Sequence, residues 1–146
     1  ANSAEDQRAH GFETYLIGVN KNAAAVRTAA RENAVLALEG SDIQTLTDEA
    51  LIKATITQAS FASGSERFAA LVQEEMNKRL QSRDRGVKQA GFYVLAYTSM
   101  PNVLIELGYI SNPSEEKKLR SSQYKDALAT SIYRAIEKYQ NTLDTN

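Results

Sequence analysis

The stretch Val103-Leu104-Ile105-Glu106-Leu107 constrains the chain more than any other part of it. Pro101 stands just before this apolar run and Gly108 just after it, so residues 102–110 read as a buried strand. A carboxylate inside such a strand is costly, because burial strips its hydration unless a partner replaces it. Periodicity leaves two readings of Glu106 open. It could face an exposed surface or pair with a lysine or arginine, or it could be a carboxylate tuned for chemistry where a strand gives way to a loop.

The remaining elements frame that strand. "GFETYLIGV" alternates in part, with Phe12, Tyr15 and Ile17 in a β-prone setting, and predicts a first strand. A helix is expected over 22–39, capped by Asn20 or Asn22 and closed by Gly40, with Val26, Ala29, Ala30, Asn33 and Ala37 on one face. "SDIQTLTDEA" reads as a polar connection in which Thr47 or Asp48 caps the next helix. Leu51, Ile52, Thr55, Ile56 and Ala59 keep helical spacing, the pattern weakens at Ala62–Ser65, and it resumes through Phe68, Leu71, Val72, Met76 and Leu80. This predicts one long helix with a soft joint, or two helices.

"SRDRGVKQAG" reads as a charged loop and "FYVLAY", 92–97, as a strand. A short helix is expected from Pro113 or Ser114, with the run Glu115–Lys118 on its solvated face. A last helix over 121–141 carries Tyr124, Leu128, Ile132, Ala135, Ile136 and Tyr139 on one stripe. Together these elements predict a single α/β domain, a mixed, largely parallel sheet flanked by helices.

Composition narrows the function classes. The 146 residues carry 17 basic and 18 acidic side chains, which gives no electrostatic case for nucleic acid or an anionic membrane surface. No apolar stretch approaches the roughly 20 residues of a transmembrane helix. The absence of cysteine excludes thiolate catalysis and thiolate metal sites, and a single histidine, His10, is a poor basis for a self-contained zinc site. His10 reads as a solvated loop residue beside Arg8. Arg85 could hold a carboxylate. Gln89 and Lys88 read either as ordinary loop residues or as side chains that orient a substrate carbonyl. Neither a glycine-rich phosphate loop nor a Ser-His-Asp order occurs.

The segment "MPNVLIELGYISNPSEEKKL" resembles the C-terminal signature of the zinc-dependent N-acetylmuramoyl-L-alanine amidases of the type 3 amidase family. "GFETYL", "ARENA", "DRGVKQAGFYVL" and "YKDALATSIYRAIEKY" are similar to further segments of that family. The resemblance implies that Glu106, in the Glu-Leu-Gly position, is the catalytic base. It would take up the proton of a zinc-bound water and pass it to the leaving amine. The bond cut would be the amide joining the lactyl group of N-acetylmuramic acid to L-alanine of the stem peptide. The implied cofactor is Zn2+, the implied partner is peptidoglycan, and the implied location is periplasmic or extracellular.

Ala1-Asn2 looks like the dipeptide that follows the family's last zinc histidine. All three ligands would then fall before residue 1, and His10 aligns with none of them. The expectation is therefore the C-terminal part of a single amidase catalytic domain, incomplete at its N-terminus and inactive alone. Self-association through an exposed sheet edge is also expected. The alternative is a non-catalytic α/β module that binds cell wall or a protein partner.

Overall fold

A computed structural model describes residues 1–19, 23–38 and 48–144. The expected caps Asn20, Asn22 and Thr47, the closing Gly40 and the side chain of Asp48 lie outside the described residues. In chain order the elements are β1 (Phe12–Ile17), α1 (Ala23–Leu38), α2 (Asp48–Gln58), a 3-10 turn (Ala59–Phe61) and α3 (Ala62–Arg79). They continue through β2 (Asp84–Ala90), α4 (Tyr93–Ala96), β3 (Leu104–Glu106), α5 (Pro113–Arg120) and α6 (Ser122–Leu143). The three strands form one small sheet in the order β2-β1-β3, flanked by helices. The chain has the expected α/β fold.

β1 lies between the other two strands, and its first five residues are all buried. The partial alternation read from its sequence is thus the pattern of a central strand covered on both faces. Phe12 N donates to Arg83 O (3.0 Å) and Gly18 N to Ala90 O (3.3 Å), so β1 and β2 run parallel.

Two expectations are corrected here. The charged "loop" is strand β2, and the expected strand at 92–97 is the helical turn α4. β2 flanks β1 on one side and carries Asp84, Arg85 and Lys88, charges that suit a strand at the margin of a sheet. In α4 and its two flanking residues, Phe92, Leu95 and Ala96 are buried while Val94 and Tyr97 are exposed, which is helical spacing that a short apolar run does not reveal. β3 is also shorter than expected. Beyond Glu106 the chain continues into an isolated parallel bridge between Tyr109 and Asn2.

The chain divides into two compact units. Ala1–Thr14, Arg67–Val87 and Ile105–Asn146 make one, and Tyr15–Glu66 with Lys88–Leu104 the other. The core of the first unit is Phe12, Val72, Met76, Leu80, Leu128 and Ala135. α6 contributes Leu128, Ser131 and Ala135, while Ile136 is exposed, so its buried stripe is narrower than the sequence suggested. The core of the second unit is Tyr15, Ala25, Ala29, Ala90, Phe92 and Leu95, with the rings of Tyr15 and Phe92 4.8 Å apart.

Gly11, which leads into β1, has φ 106°, and a Cβ there would lie 2.2 Å from the carbonyl oxygen of Arg83. Both its conformation and its spacing require glycine. α5 begins where expected. Asn112 caps it, accepting from Ser114 N (3.0 Å) and Glu115 N (3.2 Å), and Pro113 takes the first helical position.

Candidate active site

Glu106 is the last residue of β3, and it is more deeply buried than Leu104 and Ile105 before it. Only 3% of its surface is exposed, so the reading in which it faces an exposed surface is excluded. Its Oε2 is buried and lies 3.5 Å from the nitrogen of Ala1. A short β3 is enough to hold it, because the residues that follow are fixed by other means.

The first of these is backbone pairing with the start of the chain. Asn2 N donates to Gly108 O (2.8 Å), and Ile110 N donates to Asn2 O (2.9 Å). The second is a pair of buried glutamates. Glu13, on β1, is 1% exposed. Its Oε1 accepts from Asn2 Nδ2 (2.8 Å) and from the Tyr109 hydroxyl (2.9 Å), and its Oε2 from Arg85 Nε (3.2 Å). The Arg85 guanidinium also lies 5.2 Å from the centre of the Tyr109 ring. Arg85 does hold a carboxylate.

Glu115, on α5, is the second. Its Oε2 accepts from Gly11 N (2.9 Å) and Tyr109 N (3.1 Å), and its Oε1 from Ser82 Oγ (3.0 Å). This corrects the reading of Glu115 as solvated; the side chain of its neighbour Glu116 is the one that stays in reach of water. A Cβ at Gly108 would stand 3.1 Å from Glu115 Oε2, so the glycine after Leu107 makes room for this contact. Burial, and then the charge of Glu13, push the Tyr109 hydroxyl well above its usual pKa. It therefore stays protonated and serves as a donor.

The other candidates fall elsewhere. Gln89, near the end of β2, is exposed and lines a cavity of about 360 Å3 with Leu16, Ile17, Gly18, Gln58 and Asn102. Glu106 is not among the residues lining that cavity. His10 is exposed, with Nδ1 2.8 Å from Arg8 O. Among the described residues no group of three His, Cys, Asp or Glu side chains is placed to hold a metal ion. The described residues thus do not fit a zinc ion by themselves.

Sequence reasoning missed Asn2, Glu13, Tyr109 and Glu115 as partners of this corner. Glu13 carried the same signal as Glu106, a carboxylate within a β-prone apolar stretch. Glu115 carried another, since Asn112-Pro113-Ser114-Glu115 has the spacing of a capping box.

Comparison with known proteins bears on what this corner is. A family model described as N-acetylmuramoyl-L-alanine amidase matches residues 1–138. The chain belongs to this amidase family. It is 42% identical over 78 residues to the N-acetylmuramoyl-L-alanine amidase LytC of Bacillus subtilis, an alignment covering 53% of this chain and 16% of that protein. The catalytic domain of CwlV, an amidase from Bacillus (Paenibacillus) polymyxa, superimposes with a TM-score of 0.63 at 23% identity, covering 97% of this chain and 54% of that one. The CwlD amidase of Clostridioides difficile, solved in complex with the GerS lipoprotein, gives 0.61 at 22% identity, covering 97% and 51%. At these identities the two structures establish the fold. The chain spans about half of each of them and a smaller share of LytC.

Proposed function

We propose that this chain is the C-terminal part of a single catalytic domain that cleaves the amide between N-acetylmuramic acid and L-alanine in peptidoglycan, with Glu106 as its general base. The observation that carries the reading is the burial of Glu106 at the end of β3, with Oε2 3.5 Å from the nitrogen of Ala1. The resemblance puts a metal-binding histidine directly before the Ala1-Asn2 pair. A residue joined to that nitrogen would stand beside the carboxylate. In this proposal the zinc ligands come from sequence preceding Ala1 in a longer protein, and the described residues contribute the carboxylate and its support.

Glu106 takes the proton from the water that attacks the scissile carbonyl and gives it to the departing amine of L-alanine, so one group serves as base and then as acid. A strand end suits this work, because the carboxylate must be held within hydrogen-bond reach of the attacking water. Gln89 is proposed to hold a neutral carbonyl of the substrate at the rim of the cavity it lines. A peptidoglycan substrate implies action in the cell envelope, outside the cytoplasm. No described helix is long and apolar enough to cross a membrane. The expected self-association would run through the β2 edge, where Asp84, Arg85 and Lys88 oppose it.

The lack of a metal-binding group among the described residues favours a second reading, a module that binds cell wall without cutting it. Glu106→Gln in the longer protein separates the two. The amidase reading expects release of stem peptides to fall by about 10²–10⁴, with zinc content by elemental mass spectrometry and retention on insoluble peptidoglycan unchanged. Near-normal release by the variant rules out Glu106 as the base. Retention without release by the unsubstituted protein supports the binding module.

A further inference from the structure

We infer that Glu13 is a positioning residue for Glu106: its carboxylate ties Asn2 to Tyr109 and so fixes both the stretch beside the Glu106 carboxylate and the stretch that follows Glu106 in the chain. This rests on the reading of Glu106 as the base. One stretch is Ala1-Asn2, whose first nitrogen is 3.5 Å from Glu106 Oε2. The other is Gly108–Ile110, which follows Glu106 after Leu107. Two backbone hydrogen bonds through Asn2 join the stretches, from its N to Gly108 O and to its O from Ile110 N.

Those bonds set the spacing of the two segments and leave the side chains of Asn2 and Tyr109 to be placed. Both side chains end on the same oxygen, Glu13 Oε1, at 2.8 and 2.9 Å. A carboxylate oxygen can accept two donors at once, which an apolar residue in β1 could not do. Its burial at 1% exposure would be costly without compensation. Arg85 supplies that compensation through its 3.2 Å contact, and its guanidinium lies over the Tyr109 ring.

Tyr109 is thereby held at both ends, its hydroxyl by Glu13 and its backbone N–H by Glu115. Burial and the charge of Glu13 raise the pKa of the hydroxyl, which keeps it protonated as this contact requires. A displacement of about 1 Å at a reacting group can cost about a hundredfold in rate, and a frame of this kind guards against such a shift. Glu13 acts here through Asn2 and Tyr109; it is not itself a catalytic residue.

The test uses the longer protein that contains this chain, with kcat and KM measured for release of stem peptides. Tyr109→Phe keeps the ring and removes the one contact to Glu13. It should lower kcat about tenfold while KM stays within about twofold, because the base is displaced and the substrate contacts are kept. Glu13→Gln should lower kcat at least as much. The double variant should be no slower than the slower single one, since both act along one path. A kcat for Tyr109→Phe within about twofold of normal overturns the inference, as do losses that multiply in the double variant. If Glu13→Gln fails to fold, Tyr109→Phe decides alone. Failure of the underlying reading looks different, because Glu106→Gln would then keep its activity.

Discussion

The first unit buries glutamates in two contrasting settings. Glu75, on α3, is 3% exposed and is surrounded by cations: Lys78 Nζ at 3.0 Å, Lys138 Nζ at 2.7 Å, and the Arg79 guanidinium. Glu106 is equally buried, with the nitrogen of Ala1 3.5 Å from its Oε2. The groups that hold its neighbours Glu13 and Glu115 are an asparagine amide, a tyrosine hydroxyl, a serine hydroxyl, backbone N–H groups and the Arg85 guanidinium. A carboxylate ringed by lysine and arginine is held ionised and has no capacity left for a substrate proton, so its work is structural. In the proposed reading Glu106 is positioned through those neighbours and is the group that exchanges a proton. Burial alone does not separate the two roles.

Glu115→Ala offers the largest stability effect by which to break this contrast. If the neutral-donor setting is as structurally demanding as the cationic one, removing this carboxylate strands Gly11 N, Tyr109 N and Ser82 Oγ together. Unsatisfied buried donors cost about 1–3 kcal/mol each, so a loss of about 3 kcal/mol or more is expected in urea unfolding. A loss below about 1 kcal/mol would mean that water replaces the carboxylate and that the corner is looser than its hydrogen bonds imply.

Glu75→Gln tests the other side of the comparison. The hydrogen bond from Lys138, followed by that from Lys78, holds the Glu75 carboxyl at about 2, against an ordinary value of 4.5. A folded-state value below the unfolded one adds stability that is complete above about 4.5 and is lost as pH falls from there towards 2. The variant should lose about 1–2 kcal/mol near neutral pH, and its stability should fall less steeply than that of the parent through this acid window. Parallel pH curves for the two proteins would show that the three cations do not hold Glu75 ionised.

The same contrast explains what was legible in the sequence. Lys78 and Arg79 stand three and four residues after Glu75, a spacing that by itself marks an ion pair on a helix. Lys138 comes from α6 and carries no such mark. Glu106 stood out because its neighbours are apolar, and the Glu-Leu-Gly resemblance gave it a role. Glu13, Tyr109 and Asn2 are separated by up to about a hundred residues of chain, and no local pattern joins them. The exchange of strand and helix at 84–97 has a physical origin as well. β2 draws its stability from backbone pairing with β1 and needs few apolar side chains, whereas α4 is short enough for its apolar run to pass for a strand.

The smallest effect sharpens the comparison within a single turn of helix. Glu115 and Glu116 are adjacent in α5, and the sequence treats them alike. Glu116 faces outward, with Arg120 as its partner one turn later at 2.5 Å, and both side chains are substantially exposed. An exposed pair of this kind contributes about 0.3–0.5 kcal/mol, because water screens the attraction and two long side chains must be ordered to form it. Glu116→Ala should therefore shift unfolding by no more than about 0.5 kcal/mol, and added salt should erase the shift. The ratio between the two neighbouring alanine variants measures what the Tyr109 corner adds to a glutamate. If Glu116→Ala costs as much as Glu115→Ala, the loss belongs to the helix N-terminus that both residues share, and the corner adds nothing of its own.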